Sequence, residues 1–353
     1  MRIVLFCENK YAIDILYPIQ EYVLSKQLSH QVLWYIHKPK ISSFAFADVV
    51  MWTDSIQEVY DFSPEAIFVP GNIVPYYLPG VKIQVFHGYA AEKKDHWVIR
   101  RYFDTYFTQG PYFTSHFKQL AKKYGDFEVV ETGWPKQDWI KNNLHLYDED
   151  KQELLTRYGK QQIALYAPTF SPKLTSIPYM KEALAQLAKK RNMLIIIKFH
   201  PLTKQEWVDD YASWASNKKD ILFIDKGENV TKYQLMSDIL ISDTSSTIYE
   251  FLLLSKPVIT LNTLSKDIYW ENINEPTMLV HAYDCALHDP EAIGKRQWIV
   301  NNYDPYLDGR VCERMLMAAE DYINRHGVPS CRKLNLWRKY TSIKTFGRIK
   351  RNK

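Results

Sequence analysis

The chain is poor in cysteine and has no long apolar run, and both shortages narrow what it can be. Its four cysteines, Cys7, Cys285, Cys312 and Cys331, stand far apart without paired spacing. That scatter argues against a disulfide framework and against a cysteine zinc site, and it predicts a reducing compartment. No stretch approaches the roughly 20 consecutive apolar residues that span a bilayer, the longest being strand-like runs such as 193–199. The opening MRIVLF passes directly into Cys7, Glu8, Asn9 and Lys10. Its apolar run is too short for the core of a signal peptide, so export by that route is not expected.

Acidic residues are missing from one place in particular. Residues 330–353 hold nine Lys or Arg and no Asp or Glu, and removing those nine from the 45 basic residues leaves 36 against 40 acidic ones. The net charge of +5 is therefore a property of the tail. Leu334, Leu336, Trp337, Tyr340, Ile343, Phe346 and Ile349 are interleaved among those cations. This composition suits a segment lying on an anionic bilayer, and equally a strap packed across the body. The acidic body offers no second basic patch, which argues against nucleic acid as a partner.

What remains is the composition of a folded enzyme-sized protein: 353 residues, 46% hydrophobic and 24% charged, with 25 Tyr, 16 Phe and 10 Trp. Such a length is more than one core usually organises, so two α/β domains are expected. Short β-branched and aromatic runs alternate with longer helix-like segments, the pattern of parallel α/β architecture. Strands are predicted at 2–6, 31–35, 66–69, 82–86, 105–108 and 128–131, and again at 163–167, 193–199, 221–224, 238–242 and 258–261. The polar stretch 142–160, with its run YDEDKQE, separates the two sets. The expected domains are 1–150, an acceptor domain; 151–325, a nucleotide-donor domain; and 326–353, the basic amphipathic tail.

In open α/β sheets, ligands bind outside the carboxyl ends of strands, and three such positions carry distinctive residues. After the strand-like Ile239, Leu240 and Ile241 come Ser242, Asp243, Thr244, Ser245 and Ser246, then an apolar helix. The turn can cap that helix or leave amides and hydroxyls for a phosphate at its N-terminus. It lacks the lysine and glycines of a P-loop, so a Walker-type NTPase is excluded. The buried run ending in Lys198 and Phe199 stops at His200-Pro201. Proline ends the ladder there and leaves His200 at the strand end, where an imidazole can serve a diphosphate. Val85-Phe86 runs into His87-Gly88, and glycine allows a sharp turn that presents His87 as a general base for a hydroxyl nucleophile. Lys93 follows nearby, suited to a phosphate or to solvent. Each motif alone reads equally well as local structure. Together they predict an active site in an interdomain cleft, with no cofactor.

These motifs, with Tyr102-Phe103-Asp104, Thr132-Gly133-Trp134-Pro135-Lys136, Tyr166-Ala167-Pro168-Thr169-Phe170, Lys256-Pro257, Asp308-Gly309-Arg310 and Glu313-Arg314, run in order over about residues 80 to 315. In that order the chain resembles the CDP-glycerol glycerophosphotransferases, which build the poly(glycerol phosphate) parts of teichoic acids. The resemblance implies a GT-B-like fold, two Rossmann-type domains with parallel sheets facing across a cleft, and metal-free transfer. It implies His87 as base, with Gly88 and Lys93 on the acceptor side. It implies donor contacts by Pro168, Thr169, His200, Ser242, Asp243, Thr244, Ser245, Ser246, Glu250 and Arg314. The implied reaction moves glycerol phosphate, or a related polyol phosphate, from a CDP-linked donor to a hydroxyl of a lipid-linked or polymer acceptor, releasing CMP. The implied place is the cytoplasm, peripherally at the inner face of the cell membrane, with the tail on anionic lipid. The other reading on the same fold is a glycosyltransferase using a nucleotide sugar. Two departures stand out: Glu250 where the family often has aspartate, and YAAEKKD after the His-Gly pair. Residues before about 80 match only in being Rossmann-like.

Overall fold

The structure, a computed structural model, describes residues 1–89, 94–265 and 268–350. The chain divides into two compact units, Met1–Asn142 with Tyr303–Lys353, and Asn143–Asn302. Lys93 lies outside the described residues.

The first unit is built on seven strands: β1 (Arg2–Cys7), β2 (Gln31–Ile36), β3 (Trp52–Thr53), β4 (Ala66–Val69), β5 (Val81–Gln84), β6 (Thr105–Thr108) and β7 (Glu128–Glu131). They form one sheet in the order β3-β2-β1-β4-β5-β6-β7, and every pairing is parallel. The second unit holds β8 (Gln162–Tyr166), β9 (Met193–Lys198), β10 (Ile221–Ile224), β11 (Ile239–Ser242), β12 (Val258–Leu261) and β13 (Glu271–Ile273). Their order is β10-β9-β8-β11-β12-β13, again all parallel. Parallel sheets covered on both faces require strands that are apolar throughout, and β9 is buried at all six positions. In each sheet the chain steps outward in one direction, returns to the centre and then steps the other way. The reversals fall between β1 and β4 and between β8 and β11, the topological switch points where such sheets open a crevice at their carboxyl edge. This is the GT-B-like class of two Rossmann-type domains that the sequence predicts.

Two differences from the sequence reading have physical causes. Strands β3 and β13 were not anticipated, because two or three residues at a sheet edge leave no periodic pattern to read. Residues 303–325, assigned from sequence to the second domain, belong to the first unit. The helix Val311–His326 is fixed there at its first turn, where both carboxylate oxygens of Asp138 accept from the amides of Val311 and Cys312, at 2.9 and 2.7 Å. Val311, Cys312, Met315, Leu316 and Ala319 then form its buried stripe.

The basic tail packs on the first unit through one face. Phe346 is buried edge-on against Phe6, ring centroids 5.3 Å apart, and the Tyr77 hydroxyl donates to the Gly347 carbonyl at 2.6 Å. Arg332 donates to Asp104 at 2.7 Å. The other face of the helix Leu336–Phe346 leaves Leu336, Trp337 and Tyr340 exposed. No helix among the described residues is long and apolar enough to cross a membrane.

Candidate functional site

His87 stands three residues beyond β5, on a backbone that departs sharply from the strand. Phe86 has φ of 60°, a left-handed conformation disfavoured for a bulky aromatic residue. Packing holds it there. Phe86 is 4% exposed, lies among the rings of Tyr106 and Phe117, and its carbonyl accepts from the Trp134 indole at 3.3 Å. Gly88 follows at φ 153°, where a side chain would be strained, and its carbonyl accepts from Gln109 at 3.0 Å. The turn exposes His87 to solvent. Its Nδ1 lies 3.1 Å from the carbonyl oxygen of Pro70, just past β4. A carbonyl can only accept, so Nδ1 carries the proton and the neutral ring keeps its lone pair on Nε2.

Behind this turn is a buried polar knot. The hydroxyl of Tyr89 accepts from Gln137 at 2.9 Å and donates to Asp304 at 2.7 Å. Asp304 also accepts from the amides of Trp134 and Tyr306, at 3.0 and 3.3 Å. Burial pushes its carboxyl up to about 8, against the lowering effect of those three donors. Sequence reasoning did not single out Gln109, which holds the Gly88 carbonyl, or Asp304, which meets Tyr89 across 215 residues of sequence.

In the second unit, His200 follows β9. Its Nδ1 accepts from the amide of Leu202 at 3.1 Å, so in the neutral ring Nε2 carries the hydrogen. The imidazole stacks on Phe170, centroids 4.5 Å apart, and burial, then the neighbouring Lys198, pull its pKa below the usual histidine range. It is an exposed neutral donor.

Asp243, at the end of β11, is fully buried and accepts four bonds: from the amides of Thr169, Thr244 and Ser176, at 2.8, 2.6 and 2.8 Å, and from the Ser176 hydroxyl at 2.9 Å. The Ser242 hydroxyl is likewise buried and donates to the Ala167 carbonyl at 2.7 Å. These two residues, expected to touch the donor, are instead buried braces between the ends of β8 and β11, with both oxygens of Asp243 already engaged. They aim the residues beside them. Ser246 is exposed and Ser245 half-buried, and the amides of neither form a hydrogen bond within the described residues. Thr244 is held on both sides, its amide by Asp243 and its hydroxyl by the amide of Leu264 at 3.2 Å. Pro168 is buried, Thr169 half-buried beside it, and Glu250 half-buried on the helix Thr247–Leu253. The structure thus brings His200, Thr169, Ser245 and Ser246 to one sheet edge, at the β8/β11 switch point.

Arg314 is not among them. It lies in the first unit, where Nε donates to the Thr132 carbonyl at 2.9 Å and the two terminal nitrogens grip Asp308 at 2.7 and 3.1 Å. The guanidinium also covers the ring of Tyr306 at 4.3 Å. The expected phosphate partner is a structural fork. Among the described residues no three His, Cys, Asp or Glu gather as a metal site.

Two doubly wound parallel units, each with its exposed polar groups at the carboxyl edge, define a GT-B-like chain of Rossmann-type domains. The chain belongs to the CDP-glycerol:poly(glycerophosphate) glycerophosphotransferase family, whose model matches residues 78–319. It is 28% identical over 213 residues to the teichoic acid ribitol-phosphate polymerase TarK of Staphylococcus aureus, covering 53% of this chain and 40% of that protein. It is 34% identical over 172 residues to a teichoic acid glycerol-phosphate primase of Bacillus spizizenii, covering 46% of this chain and 36% of that one. The chain spans between 36% and 54% of the length of the curated relatives it matches. Among solved structures, the wall teichoic acid polymerase TagF shares the fold with a TM-score of 0.67 at 16% identity, over 92% of this chain and 89% of that one.

Proposed function

We propose that this chain transfers glycerol phosphate, or a related polyol phosphate, from a CDP-linked donor to a hydroxyl of a lipid-linked or polymer acceptor. The observation that carries this reading is the pair of opposite tautomers. His87 offers a lone pair on Nε2, which a base needs; His200 offers a hydrogen on Nε2, which an anionic diphosphate needs. The family and the named activities of the relatives, a glycerol-phosphate primase and a ribitol-phosphate polymerase, support a polyol phosphate as the transferred group.

In the reaction so read, Nε2 of His87 takes the proton of the acceptor hydroxyl. That oxygen forms a bond to the β-phosphorus of the donor, and the bond from the β-phosphorus to the bridging oxygen breaks, releasing CMP. His200 and the amides of Ser245 and Ser246 stabilise the negative charge on the diphosphate. Gly88 shapes the acceptor side by letting the backbone turn at His87. The exposed Leu336, Trp337 and Tyr340, flanked by exposed Lys333 and Lys344, rest on anionic lipid and hold the enzyme peripherally at the inner face of the membrane.

The test is CMP release on incubation with a lipid-linked glycerol phosphate acceptor and a panel of CDP-glycerol, CDP-ribitol and UDP-sugars. A CDP-polyol should release CMP only when acceptor is present. Turnover of a UDP-sugar alone would replace this reading with glycosyl transfer.

A further inference from the structure

Residues 1–77 lie outside the family match, yet they supply the crevice at the switch point of the first sheet. Glu8 follows β1 there, and Pro70 and Gly71 follow β4. Glu8 is 8% exposed, and one carboxylate oxygen accepts from Lys40 at 3.0 Å. The other oxygen has no hydrogen-bond partner. It lies over Gly71, so closely that a Cβ at that position would stand 2.4 Å away. A side chain at that position would force the Glu8 carboxylate to move. The adjoining Pro70 carbonyl is the group that holds Nδ1 of His87, and the ring of Tyr11 lies 5.4 Å from the His87 ring. The carboxylate and the catalytic imidazole therefore sit over two successive residues of one loop.

A buried carboxylate oxygen without a donor is costly, and it calls for a hydroxyl or amide hydrogen from a ligand. Lys40 is anchored by one of its three hydrogens, and its side chain remains 44% exposed. An exposed ammonium beside an unfilled acceptor suits a ligand carrying a hydroxyl next to an anionic group. Such a ligand is the end of a polyol phosphate chain.

We propose that Glu8 and Lys40 form the acceptor subsite, Glu8 accepting from a hydroxyl of the terminal polyol and Lys40 engaging the phosphate behind it. The subsite rests on the transferase reading above and deepens it. It also locates acceptor choice in the part of the chain outside the family match, while the donor site lies within that match.

The test uses the full chain, CDP-glycerol and a synthetic glycerol phosphate oligomer. Glu8→Gln keeps the volume over Gly71, and Lys40→Ala removes an exposed cation. Each should raise KM for the oligomer by about ten-fold or more, with KM for CDP-glycerol and the calorimetric affinity for CDP-glycerol unchanged. A glycerol phosphate oligomer lacking its terminal hydroxyls cannot accept, and as a competitive inhibitor of transfer it should bind wild type and Glu8→Gln equally. Unchanged oligomer KM in both variants, with wild-type transfer intact, would overturn the subsite alone. Parallel loss of donor affinity and melting temperature would also overturn it, as a merely structural pair. Absence of transfer by the wild type with any CDP-polyol would overturn the underlying reading instead.

Discussion

His87 and His200 are held in opposite tautomers, His87 by a carbonyl that accepts from Nδ1 and His200 by an amide that donates to it. The two rings present the same atom, Nε2, with opposite hydrogen-bonding character. Long-range proton–nitrogen correlation spectra at pH 7.5 should show Nδ1 protonated in His87 and Nε2 protonated in His200. The reverse pattern in either ring would remove its assigned role.

His200→Ala should weaken CDP-glycerol binding by about 1.5–3 kcal/mol, the range for a hydrogen bond to a charged group. Calorimetry with CDP-glycerol reads this directly. Unaltered affinity would mean that the imidazole does not contact the diphosphate.

Tyr89→Phe removes the hydroxyl that links Gln137 to Asp304, leaving buried polar groups short of partners. The expected cost is about 1–3 kcal/mol of stability. Because this knot backs the His87 turn, turnover should fall while donor affinity stays the same. A variant equal to wild type in melting temperature and turnover would show that the turn is fixed by Phe86 and Gly88 alone.

Asp304 gives a pH dependence of known sign. Its carboxyl is raised from 3.8 to about 8 by burial, so between those values the native state holds a proton that the unfolded chain releases. Stability from this group is therefore present below about 4 and lost as pH rises toward 8. Asp304→Asn should flatten the fall in melting temperature between pH 5 and pH 8. An equally steep fall in the variant would place the effect elsewhere.

The two faces of the tail helix should separate by experiment. Phe346→Ala should cost about 3–5 kcal/mol, as for a buried aromatic residue. Leu336→Ser with Trp337→Ser should leave the melting temperature nearly unchanged but weaken association with anionic liposomes, which high salt should also weaken. Equal pelleting of the double variant would exclude the exposed face as a membrane contact.

The parallel architecture was readable because short β-branched runs such as Ile195, Ile196 and Ile197 alternate with longer helix-like segments from end to end. The places of His87 and His200 just past strand ends were readable as well, since Gly88 and Pro201 mark abrupt strand ends. The surroundings were not. Ser242 and Asp243 have the composition of a ligand loop, and only coordinates show their oxygens bonded to Ala167, Thr169 and Ser176. Arg314 meets Thr132 across 182 residues of sequence, a return path that no local pattern signals. Phe86 carries no sequence mark of its left-handed backbone, and Glu8 looks like any carboxylate after a strand until Gly71 is seen beneath it.

The most direct measurement compares wild type with His87→Gln in two assays on the same preparation: CMP release with CDP-glycerol and acceptor, and calorimetric binding of CDP-glycerol alone. Loss of release with donor binding retained is the predicted result, since the role proposed for His87 is on the acceptor hydroxyl and not on the donor. Release near the wild-type rate would contradict the account at its centre.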